Sequence, residues 1–156
     1  MFSLPLLSLS IILGSFAIAQ ESHKITMTNN CILGNPVFTY HNDNTPQGPT
    51  AINASVLDGI AWLANFTVGD CESLGTACGA VEFILRNDGS TTMATIDETS
   101  DANQFVVARS FSFVGGGACD GVGACCPAPS ACTSTDEASA RCIDRPGIVQ
   151  IHISFC

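Results

Sequence analysis

The sequence predicts an all-β fold, a disulfide-rich sandwich carrying one irregular cysteine-rich loop. Three observations lead there: short runs alternating with period 2 between Gly, Pro, Asn and Asp clusters, nine cysteines, and a strand-like final run from Gly147 to Cys156. In that run Val149, Ile151, Ile153 and Phe155 alternate with Ile148, Gln150, His152 and Ser154, as a strand packed on a core requires. It ends on a cysteine. A similar run, Lys24 to Thr28, precedes Cys31 near the other end. If the two runs are neighbouring strands, a Cys31–Cys156 bridge closes nearly the whole domain.

Residues 1–19 contain no charged side chain, and the apolar run Leu6 to Ala19 ends in Ala17-Ile18-Ala19, a small-x-small cleavage site. Residues 1–19 are therefore expected to be a signal peptide and 20–156 a single domain, long enough to bury about two thirds of its unfolded surface. The apolar run is short for a membrane span, and no second one follows. All nine cysteines lie beyond the cleavage site, where an oxidising route makes them a disulfide framework. Asn53-Ala-Ser55 and Asn65-Phe-Thr67 are N-glycosylation sequons on the same route, so Asn53 and Asn65 are the expected acceptors.

In chain order, strands are expected over His23 to Asn29 and Pro36 to Tyr40. His41 to Thr50, rich in Asn, Asp, Pro and Gly, is expected as a loop. Ala51 to Asn65 admits a helical face, but the β-branched and aromatic residues between Asp58-Gly59 and Gly69-Asp70 favour a strand over Gly59 to Val68. Trp62, within it, is expected in the core. Cys71 and Cys78 bracket a small loop suited to a local bridge. Ala80 to Arg86 and Thr91 to Ile96 read as a hairpin about the turn Asn87-Asp88-Gly89-Ser90. Asp97 to Asn103 is polar and exposed, and Gln104 to Val114 is a long strand broken by Arg109. From Gly115 to Cys142 the patterning stops, and five cysteines among Gly, Ala, Pro and Ser make disulfides the ordering force. Among Cys119, Cys125, Cys126, Cys132 and Cys142 two bridges leave one thiol over, and spacing alone does not choose it. Cys125 and Cys126, being adjacent, should have different fates.

The charge is −9, from 5 Lys and Arg against 14 Asp and Glu. With no basic cluster to neutralise phosphates, neither nucleic acid nor an anionic membrane is an expected partner. Solubility outside the cell explains the acidity more readily than a dedicated acidic binding surface does. The three histidines, His23, His41 and His152, lack ligand spacing, and Asp70 to Glu72 and Asp97 to Asp101 match no calcium loop, so no metal or cofactor is expected. An amino-terminal copper site at His23 would need cleavage after Ser22. Glu82 with Asp97 is the carboxylate pair worth testing for glycoside hydrolysis, set against the plainer reading of a solvated strand Glu. Tyr40 and Trp62 are single residues of their kinds, so stacking platforms for sugars are scarce.

Lys24-Ile-Thr-Met-Thr-Asn-Asn-Cys31 at one end and Ile151-His-Ile-Ser-Phe-Cys156 at the other resemble the bracket of thaumatin-like proteins. Ala80-Val-Glu-Phe83 resembles that family's Ala-Glu-Phe strand. Cys71 to Cys78 and Gly116 to Gly121 are similar to segments of its short, acidic, secreted fungal members. The resemblance implies a thaumatin-like β-sandwich, pairing of Cys31 with Cys156, and a secreted or cell-wall protein contacting glycans such as β-glucan through an acidic cleft. It places Glu82 by motif and Asp97 by order, and leaves the family's Arg and remaining acids without a match. It also makes Cys126 the supernumerary thiol, leaving Cys119, Cys125, Cys132 and Cys142 for bridges in a monomer. The expected function is non-catalytic glycan contact. The alternatives are a weak β-glucan hydrolase using Glu82 and Asp97, and a secreted effector-like interaction protein.

Overall fold

The computed structural model describes residues 21–41, 43–66, 79–97, 109–126, 138–143 and 148–156, with the side chains of Asp97, Arg109 and Cys126 excepted. Among the described residues there are eleven strands and no α-helix. They are β1 His23–Asn29, β2 Asn35–Tyr40, β3 Asp43–Gln47, β4 Thr50–Ile52, β5 Val56–Ala64, β6 Ala80–Leu85, β7 Thr91–Asp97, β8 Arg109–Val114, β9 Gly123–Cys126, β10 Ser139–Ile143 and β11 Gln150–Phe155. One sheet runs β4-β1-β11-β8-β9 and the other β10-β7-β6-β5-β2-β3.

Period-2 alternation fixes which side of each strand faces inward. From the first sheet Ile25, Phe111, Phe113, Ile151, Ile153 and Phe155 point to the same cluster as Phe38, Ala61, Leu63, Val81, Phe83, Leu85, Ala94 and Ile96 from the second. Two sheets sharing one buried apolar layer form a sandwich. Each large side chain fully buried there is worth about 1.5–3 kcal/mol over its exposed state. The terminal strands are neighbours: β1 and β11 pair in parallel, from Ile25 opposite Ile151 to Asn29 opposite Phe155. Just past that ladder Cys31 and Cys156 are disulfide-bonded.

Several boundaries differ from the sequence expectation. The stretch read as a loop from His41 to Thr50 contains β3 and the start of β4. β3 is an edge strand paired with β2 alone and largely exposed, so it carries no apolar alternation, and an edge tolerates Pro46. β5 begins at Val56 rather than Gly59, because Asp58, at φ 50°, sits in a β-bulge that carries the strand through the apparent turn. Its helical alternative is absent. The cysteine-rich stretch is also more regular than expected, with a 3-10 turn at Gly117–Cys119 followed by β9 and β10. Small residues permit this: a Cβ on Gly123 would lie 2.1 Å from the Phe111 carbonyl oxygen, so only glycine lets β9 pair with β8 there. Cys119, fully buried, is disulfide-bonded to Cys142 on β10, which ties the turn between β8 and β9 of the first sheet to an edge of the second. The expected Cys71–Cys78 bridge, Cys132 and residues 104–108 lie outside the described residues, as do residues 1–19, where a signal peptide is expected.

Candidate functional site

The outer face of the second sheet carries the candidate site. In β6 the core takes Val81, Phe83 and Leu85, which leaves Glu82 and Ile84 on the opposite side, Glu82 exposed. Register places Thr39, Ile60, Glu82, Thr95 and Ser139 in one row across β2, β5, β6, β7 and β10. In the next row Ile84 faces Met93, and Met93 faces Arg141, which is exposed. On the other flank Asp97 is opposite Ala80, so its backbone position is diagonal to Glu82. Diagonal neighbours on adjacent strands lie about 7–8 Å apart.

Between β5 and β7 this face sinks into a basin of about 200 Å³, lined by Asp58, Ile60, Glu82, Ile84, Met93 and Thr95, with backbone from Gly59, Phe83 and Ala94. The floor is aliphatic and the two carboxylates stand on it. The bulge is what brings Asp58 here, where its Oδ2 is 3.1 Å from Nδ1 of His41 in an exposed pair. Glu82 is open to solvent, whereas carboxyls that act as general acids are characteristically set in apolar pockets. The arrangement can accept hydrogen bonds from hydroxyl or amine donors while presenting methyl and methylene groups to an apolar ring face.

Trp62 is 2% exposed, as a core residue would be, but it does not join the inter-sheet cluster. Opposite Val37 and one pair along from Ile60, it lies on the Glu82 face. Asn53 and Asn65 are both exposed, Asn65 at φ 56°, and Thr67 lies outside the described residues. Oδ1 of Asn53 accepts a hydrogen bond from Ser22 at 3.0 Å. Cys125 is exposed on β9, and the side chain of Cys126 and the whole of Cys132 lie outside the described residues.

The histidines are dispersed. His152 on β11 has Nδ1 3.0 Å from Oγ1 of Thr26, whose hydroxyl donates to the Ile151 carbonyl, so Nδ1 carries the proton. His23 is wholly buried with both ring nitrogens bonded. Among the described residues no three His, Cys, Asp or Glu side chains are placed to hold a metal ion, and no helix is long and apolar enough to cross a membrane. Sequence reasoning missed Asp58 and Arg141 as members of the Glu82 face. The bulge at Asp58 imitates a turn, and Arg141 lies in a stretch without alternation. Compared with protein-family models, with curated proteins and with solved structures, the chain matches none.

Proposed function

We propose that the protein is a secreted, N-glycosylated, monomeric sandwich of thaumatin-like type that contacts glycans such as β-glucan without cleaving them, at the cell surface or in the wall. The observation that carries this reading is the basin around Glu82, where carboxylates beside Thr95 offer acceptors to sugar hydroxyls and Ile60, Ile84 and Met93 offer an apolar floor. The paired cysteines fit an oxidising compartment, and the exposure of Asn53 and Asn65 fits their use as glycan acceptors. The test is retention of the mature protein on insoluble β-glucan with the supernatant assayed for released sugar. Retention without release supports the reading. Release that disappears in Glu82→Gln would replace it with a hydrolase, for which the diagonal placement of Asp97 is the specific support. Recovery of a protein partner in the absence of any glycan would point instead to an effector-like interaction protein.

A further inference from the structure

His23 is fully buried on β1, and each of its ring nitrogens faces an oxygen: Nδ1 is 2.7 Å from the Val149 carbonyl and Nε2 is 2.9 Å from Oε1 of Glu21. A carbonyl only accepts, so Nδ1 donates to Val149. Glu21 is also an acceptor twice more, from the Ser55 hydroxyl at 2.7 Å to Oε2 and from the Asn87 amide at 3.2 Å to Oε1. Donors on both of its oxygens, and an environment that holds the group below its ordinary value, favour the carboxylate, and a carboxylate keeps the contact with Nε2 only when Nε2 donates as well.

The pair joins four parts of the chain: the segment before β1, the β4–β5 loop at Ser55, the β6–β7 turn at Asn87, and the entry to β11 at Val149. It spans both sheets at the end of β1 away from the Cys31–Cys156 bridge. We infer that Glu21 and His23 form a charged latch that fastens the amino-terminal segment across the two sheets and opens when the Glu21 carboxylate is protonated.

Other charged groups on the packed elements do not substitute for it. Arg86 and Asp88, on either side of Asn87, pair with each other at 3.9 Å, and Lys24 is exposed on the opposite face of β1 from His23. Burial pushes the Glu21 carboxyl up, but the hydrogen bonds from His23, Ser55 and Asn87 outweigh it and hold the group below its ordinary value. A depressed carboxylate contributes stability that is complete above its unfolded value and is lost as pH falls through the folded one. Below that point a buried imidazolium has no counter-ion, which is costly.

The experiment is nitrogen-15 NMR of the mature protein, with Glu21→Gln as a permanently neutral latch. In the wild type at pH 7 both His23 ring nitrogens should carry protons. Exchange of the Asn87 amide, corrected for its intrinsic rate, should quicken on the order of tenfold or more in Glu21→Gln, as expected when a charge-assisted bond is lost. The wild type should reach that rate on acidification, and the variant should show little further change. One unprotonated His23 ring nitrogen at pH 7 would overturn the latch, and that measurement decides the matter even if Glu21→Gln does not fold. Equal Asn87 protection in the two proteins at pH 7, or the same acid response in both, would overturn it too.

Discussion

Cys31, two residues past Asn29, and Cys156, one past Asn29's partner Phe155, are joined, so a single bond locks the parallel ladder of the first and last strands across a sequence separation of 125 residues. Parallel terminal strands have no local connection to hold them in register. Replacing both cysteines by serine should lower stability by about 2–5 kcal/mol, from the unfolded-state freedom that a long loop closure removes. Chemical denaturation of the double variant, with Cys119–Cys142 left intact, measures it. A loss well below that range would mean that the β1–β11 ladder holds without the bond.

Asn29 does more than precede that cysteine. Its Nδ2 donates to the carbonyls of Leu33 at 3.2 Å and Gly34 at 2.8 Å, and its Oδ1 accepts the Cys31 amide at 2.8 Å. Asn30 makes one exposed side-chain bond, to the Ser154 hydroxyl. Asn29→Ala should therefore cost about 1–3 kcal/mol and Asn30→Ala at most a few tenths, since hydrogen bonds contribute about 0.5–1.5 kcal/mol net each and exposed ones least. Equal melting shifts for the two variants would contradict this division.

Gly59 faces Phe83 across the β5–β6 ladder, and a Cβ there would stand 2.5 Å from Cε2 and 2.7 Å from Cζ of the ring. Gly59→Ala should destabilise by roughly 1–3 kcal/mol through overpacking, and Phe83→Leu in the same chain should recover part of that loss. Thermal melts of the single and double variants give the coupling. Strict additivity would show that the ring is not what excludes the methyl group.

The sandwich was legible wherever burial alternates cleanly. His23 to Asn29 and the β6–β7 hairpin stand where period 2 and turn chemistry put them, and Ile151, Ile153 and Phe155 face the core. Elements whose reasons are not periodic were hidden. β3 is polar because it is an exposed edge, β9 depends on a glycine that only tertiary contact explains, and the Asp58 bulge reads locally as a turn. For the candidate site, Glu82 was legible from its strand. Its neighbours Asp58, Thr95 and Arg141 come from other strands, and only register collects them. The Glu21–His23 contact was equally out of reach, because its further partners Ser55, Asn87 and Val149 are remote in sequence.

The most direct measurement is the affinity of the mature protein for β-glucan oligosaccharides, followed by the fluorescence of Trp62, the single tryptophan of the chain, on the Glu82 face. Glu82→Gln with Asp97→Asn should weaken binding about tenfold or more while leaving the melting temperature nearly unchanged, because Glu82 is exposed and its lost contacts are to the ligand. Salt should matter little, since neutral sugars are held by hydrogen bonds and not by ion pairing. Undiminished affinity in the double variant, or no binding by the wild type, would contradict glycan contact through this face.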